Sequence, residues 1–143
     1  MKKTAVLFAA AILLGSSAAA RAESVRIGVI AEVTGDMPAV GASCRNAAEM
    51  AVKEVNAAGG ITVGGRKLKV ELFVEDNGGK ADQSAAAAQK LITQEEVVAI
   101  VGPNASRYAI PASEIAESNQ TVFITPWSTN PKTTLDAATV GAL

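Results

Sequence analysis

The sequence predicts an α/β fold, a parallel sheet with helices on both faces. Three observations carry it. Short β-branched runs alternate with longer segments of helical period, in the order β-α-β-α-β-α-β. Clusters of Gly, Asp, Asn and Pro punctuate most of the joins. Aromatic residues are only 3% of the chain, so the core must be built from Val, Ile, Leu and Ala.

The first 22 residues stand apart from that fold. Lys2 and Lys3 are followed by an apolar run over 4–14 and small residues over 15–22, with Ala20-Arg21-Ala22 as the better cleavage site and Ala18-Ala19-Ala20 as the alternative. This pattern is a secretory signal peptide, and its apolar run is too short to span a bilayer. The mature chain is expected to start at Glu23, outside the cytoplasm. Thirteen basic residues less Lys2, Lys3 and Arg21 leave ten against fourteen acidic, a net charge of −4. A mildly acidic surface argues against nucleic-acid binding.

Residues 25–33 alternate Val25, Ile27, Val29, Ala31 and Val33 with Arg26, Gly28, Ile30 and Glu32, the pattern of a strand. Thr34 to Pro38 break it. A helix is expected over 43–57, with Ala47, Ala48, Ala51, Val52 and Val55 on one stripe and Gly59-Gly60 closing it. Residues 61–66 read as a short turn around Gly64-Gly65. A second strand over 67–75 leads to the loop Asp76-Asn77-Gly78-Gly79. The Ala-rich stretch 80–93 predicts a second helix. A third strand over 97–101, a helix over 106–118 and a fourth strand over 121–124 complete the order. Residues 132–143 give neither signal.

Several chemistries are excluded or unsupported. There is no histidine, so Ser-His-Asp and Cys-His catalysis and His-containing metal sites are absent. Cys44 is the single cysteine and reads as a small half-buried residue. The first strand is followed by Thr34-Gly35 rather than G-x-G-x-x-G, and no G-x-x-x-x-G-K-[ST] occurs. No cofactor and no metal are expected.

What remains is a polar rim. In an open α/β sheet, ligands sit outside the carboxyl ends of the strands. The third and fourth strands open there into Gly102-Pro103-Asn104-Ala105-Ser106 and Thr125-Pro126-Trp127-Ser128-Thr129-Asn130-Pro131. Ser106 stands where a helix N-cap is expected, and that role alone explains a serine. The helix N-terminus beside it also attracts carboxylates. Ser128-Thr129-Asn130-Pro131 is an ordinary turn signature whose placement beside Ser106 favours binding. Asp76 is read as a solvated or capping loop residue, outside the site.

The segments that carry a resemblance are Ile27-Gly28-Val29, Thr34-Gly35 with Gly41, and the run from Ala51 through Glu54-Val55-Asn56-Ala57-Ala58-Gly59-Gly60-Ile61. Glu75-Asp76-Asn77, Ile100-Val101-Gly102-Pro103 with Ser106, and Ser128-Thr129-Asn130-Pro131 continue it. Over residues 25–134 the chain resembles the N-terminal lobe of periplasmic amino-acid-binding proteins of the leucine/isoleucine/valine type, a Rossmann-like lobe of the type I periplasmic binding fold. The resemblance implies a solute-binding component of an ABC transporter, monomeric, partnered by an amino-acid ligand and an inner-membrane permease. It implies that Ser106 binds the α-carboxylate through its hydroxyl and backbone N–H, and that Thr129 contacts carboxylate and ammonium. It also implies that the Trp127 carbonyl accepts from the ammonium, and that Val40 stands where an aromatic residue often faces the ligand.

Gly78 and Ala105 replace the disulfide of leucine-type binders, and Trp127 fills a position usually small, so Trp127 is expected to supply the aromatic wall missing at Val40. The expected division is a signal peptide at 1–22, a lobe at 23–134 and an irregular tail at 135–143, with no second lobe. Two other readings compete. One is a ligand-sensing domain of a receptor or regulator. The other is a secreted α/β hydrolase using Asp76 or Glu75 as base with Ser106.

Overall fold

The computed structural model describes residues 23–134. The expected signal peptide and tail lie outside the described residues. The elements are β1 (Ser24–Ala31), α1 (Pro38–Ala57), β2 (Ile61–Val63), β3 (Arg66–Asp76), α2 (Ala81–Thr93), β4 (Ala99–Val101), α3 (Ser106–Ser118) and β5 (Val122–Ile124), followed by a 3₁₀ turn at Pro131–Thr133. They form a five-stranded sheet in the order β2-β3-β1-β4-β5. β1 runs parallel to β3 from Ser24↔Lys69 to Ala31↔Asp76, and parallel to β4 from Ile27↔Ala99 to Val29↔Val101. β5 extends the parallel set beside β4.

The α/β class holds, with a sheet that is mostly rather than wholly parallel. Residues expected as a turn form β2, which pairs antiparallel with β3 from Ile61↔Leu68 to Val63↔Arg66. Gly64 and Gly65 sit at φ 56° and 80°, the left-handed pair that a two-residue hairpin demands. α1 also starts earlier than its apolar stripe, because Pro38 stands in its first turn with φ already set for a helix. β4 is shorter than the apolar run. The Val97 amide donates to Leu91 O at 3.1 Å, closing α2 instead of joining the sheet.

Strand alternation assigns the two faces. Ile30 of β1 and Ile100 of β4 point to α2 and α3, where they meet Ala87, Ala88, Leu91, Val97 and Ala112, with Phe73 and Phe123 packed around them. The small side chains of α2 let it sit close on the sheet. A Cβ on Gly28 would lie 2.9 Å from Leu91 Cδ1. Arg26 shares this face at the far end of β1, stacked 4.3 Å over the Phe73 ring and 3.3 Å from Glu95. On the other face, Ile27, Val29, Leu72 and Val101 lie opposite α1. The expectation of helices on both faces is met.

The register has one consequence for the site. Pairing Val29 with Val101 and Val101 with Ile124 brings the carboxyl ends of β1, β4 and β5 to one edge. The loops that follow are neighbours there.

Candidate functional site

The loop from β4 into α3 turns on Gly102, whose φ is 84° and whose amide donates to Ile124 O at 2.8 Å. A Cβ there would stand 2.2 Å from Ile30 O, so only glycine allows this approach. Its expected role as a tight turn next to the strand end is met.

Ser106 is not the N-cap. Ala105 holds that position with extended backbone and no side-chain cap, and Ser106 is the first residue of α3. The physical reason lies across the site. The Ser106 hydroxyl is engaged by the next loop, accepting from the amides of Thr129 and Asn130 at 3.3 Å each and from Ser128 Oγ at 3.0 Å. With Ser128 as donor, the Ser106 hydroxyl keeps its own hydrogen for donation outward. Ser128 Oγ also lies 2.6 Å from Thr133 Oγ1. Thr125 adds a second tie, donating to Pro103 O at 2.7 Å and accepting from the Ser128 amide at 3.2 Å.

The amides of Asn104 and Ala105 are taken by Glu32, whereas those of Ser106 and Arg107 find no acceptor among the described residues. Orphan amides in the first turn of a helix form an anion-binding cradle. Thr129 is exposed beside them. Trp127 is 58% exposed. With Pro126 it lines an apolar groove of about 770 Å³ whose walls include Val40, Ala47, Ile27, Leu72 and Val101. The sequence-expected residues therefore fall into two connected pairs: Ser106 with Thr129 on the polar rim, and Val40 with Trp127 on the groove.

Other residues at this edge carry no motif. Asp36, after β1, accepts from Tyr108 Oη at 3.0 Å and from the Arg107 guanidinium, tying that loop to α3. The Tyr108 hydroxyl first, then Arg107, hold its carboxyl below the usual aspartate range against partial desolvation. Asp76 accepts from Thr34 Oγ1 at 2.6 Å, Thr34 N at 3.1 Å and Gly78 N at 2.9 Å. Burial pulls Asp76 upward, but these donors outweigh it and leave its carboxyl lowered. That is the capping role expected of it. Burial, aided by the Glu32 charge, pushes the Cys44 thiol up, so it stays protonated near neutral pH. No group of three or more potential metal ligands exists among the described residues.

Glu32 and Asn104 are the residues that the sequence reading missed. An acid at the end of an apolar strand was the available signal. The alternation assigned Glu32 only to the strand's second face, but it is wholly buried.

Comparison with known proteins converges on one group. The family model described as periplasmic binding protein matches residues 24–139. An amino acid binding protein of Pseudomonas aeruginosa is 36% identical over 133 residues, spanning 93% of this chain and 34% of that protein. The Leu/Ile/Val-binding protein BraC3 of Rhizobium johnstonii is 37% identical over 110 residues, spanning 77% of this chain and 29% of the relative. Among solved structures, the branched-chain amino acid transporter substrate binding protein LivJ of Streptococcus pneumoniae, in complex with isoleucine, superposes with a TM-score of 0.71 at 32% identity, covering 83% of this chain and 32% of LivJ. The chain spans about a third of the length of these relatives.

Proposed function

The chain belongs to the periplasmic binding protein family, of the type I fold, and from that membership we propose that it serves as an amino-acid-binding component of an ABC transporter. The observation that carries the reading is the Ser106 crossing, which ties two strand-end loops whose Asn104, Pro126 and Trp127 line an apolar groove, beside helix-start amides with no acceptor among the described residues. A carboxylate fits the donors and an aliphatic or aromatic side chain fits the groove.

In this reading the Ser106 hydroxyl and backbone N–H take the ligand's α-carboxylate. Thr129 contacts carboxylate and ammonium, and the Trp127 carbonyl accepts from the ammonium. Val40 and the Trp127 ring flank the side chain. The protein binds and releases its ligand and carries out no chemistry. Residues 23–134 act as one jaw of a clamp, and an inner-membrane permease receives the ligand. Residues 1–22 direct export to the periplasm and are removed after Ala22, which the intact mass of the exported protein checks.

Support comes from the relatives, whose names specify amino-acid or Leu/Ile/Val binding. The described residues supply one wall of contacts, and for residues 23–134 binding near the millimolar level, about 4 kcal/mol, is expected. The test is a titration of the chain with L-leucine, L-isoleucine and L-valine followed by amide chemical shifts. Changes should concentrate at 104–107 and 127–130 and vanish in Ser106→Ala. A response to none of a full panel of amino acids sinks the proposal.

A further inference from the structure

Glu32 is a carboxylate with no exposed surface, and no salt bridge reaches it among the described residues. Such a group is tolerated only when fixed donors replace its water. Here those donors come from one loop. Glu32 Oε1 accepts from Asn104 N at 3.0 Å and Ala105 N at 3.2 Å, and Oε2 accepts from Asn104 Nδ2 at 2.7 Å. Asn104 is itself only 4% exposed.

The carboxylate is held firmly from below. Glu32 directly follows β1, and α1 sits on its backbone so closely that a Cβ on Gly41 would lie 2.2 Å from Glu32 O. Glu32 fills the inner half of the amide cradle at the start of α3. The next two amides, those of Ser106 and Arg107, have no acceptor among the described residues.

We propose that Glu32 is the positioning residue of the site, its carboxylate fixing the Asn104–Ala105 turn so that Ser106 meets both the Ser128 loop and a ligand. The ligand's identity rests on the amino-acid reading above; the positioning does not. If the turn releases Glu32, a buried charge loses all its donors, so the loop stays shut as a unit.

A swap of polarity tests this in the full chain. In Glu32→Gln, the charge is lost, and Asn104 can answer the new nitrogen only by turning its amide over to present Oδ1, so one weaker side-chain bond survives in the reverse sense. In Asn104→Asp, two carboxylates face each other. The double variant Glu32→Gln with Asn104→Asp restores one donor to one acceptor in the reverse sense. Hydrogen exchange at 104–106 and 129–130 is the readout, with 70–75 of β3 as the internal control. Asn104→Asp should raise exchange in those two loops about tenfold or more while β3 holds, Glu32→Gln should raise it less, and the double should recover most of the protection lost in Asn104→Asp.

Unchanged loop exchange in both singles overturns the proposal, and so does a double variant no better than the worse single. A uniform rise that includes β3 makes Glu32 a contributor to global stability alone and also overturns it. If Glu32→Gln does not fold, Asn104→Ala removes the side-chain arm alone and must still loosen 104–106. Titration of the same variants with the full amino-acid panel separates the two ideas: local loosening with no response of the parent to any amino acid removes the amino-acid reading and leaves the positioning intact.

Discussion

Ser128 Oγ lies 3.0 Å from Ser106 Oγ, joining two loops that hang from the adjacent parallel strands β4 and β5. The contact is half-buried, and the Ser106 oxygen also takes the amides of Thr129 and Asn130. Its three partners come from one loop, so the hydroxyl works as a hub rather than as a cap.

Ser106→Ala removes that hub and leaves groups that water can reach. Stability should therefore fall by only about 1 kcal/mol, the net worth of an ordinary hydrogen bond. The local effect should be larger. Exchange at Thr129 and Asn130 should rise, and any leucine response at 104–107 should disappear. Thermal melts and residue-resolved exchange check both halves. A melting point that collapses would place Ser106 in the structural core instead.

Leu91 is wholly buried at the centre of the α2 side of the core, with its methyls against Gly28 of β1. Leu91→Ala is expected to destabilise by about 2–5 kcal/mol, since little around it can collapse into the space. The opposite change, Gly28→Ala, sets a Cβ 2.9 Å from Leu91 Cδ1. Overpacking of this kind costs about 1–3 kcal/mol. Denaturant midpoints of the two variants measure these effects, and a near-neutral Leu91→Ala would show that the α2–sheet contact is not the main core.

The parts of this fold that were legible are those whose period is long enough to repeat. β1, β3, α2 and α3 each show several turns or alternations, and all four stand where the pattern places them. β2 is three residues, all exposed, so its pairing depends on the hairpin it shares with β3 and on no apolar face of its own. The start of α1 is set by Pro38 and packing under Gly41, not by its stripe. At the site, the meeting of the Ser106 and Thr129 loops followed from topology. What no pattern could show is the use made of each side chain. Ser106 reads as a cap because serines at helix starts usually cap, and Glu32 reads as a polar position because buried carboxylates are rare.

Acid should loosen the loops of this edge. The Asp36 and Asp76 carboxyls both lie below the ordinary aspartate value of 3.8 in the folded protein. A lowered folded value means that each contributes stability above the unfolded value and loses it as pH falls through the folded one. The ties of Thr34 and Gly78 to Asp76, and of Tyr108 and Arg107 to Asp36, should therefore weaken below about pH 4. Asp76→Asn keeps the shape without the charge, so its melting temperature should fall less steeply with acid than that of the parent. Melts at about pH 7, 4 and 2.5 compare the slopes, and parallel slopes would remove Asp76 from the acid response.

Trp127 offers the sharpest separation of stability from binding. It is 58% exposed, yet it stands on the same apolar groove as Val40. Its ring has few partners to lose, so Trp127→Ala should change stability by no more than about 0.5 kcal/mol. If the ring supplies the wall against which a ligand side chain packs, the loss should scale with that side chain's apolar area. Affinity for leucine should then fall about fivefold to tenfold, whereas glycine, which has nothing to lay against the ring, should be almost unaffected. Titrating both ligands into both proteins reads the ratio directly. Equal losses for leucine and glycine would assign the effect to the Trp127 backbone and its carbonyl, and no loss for either would take the ring out of the site.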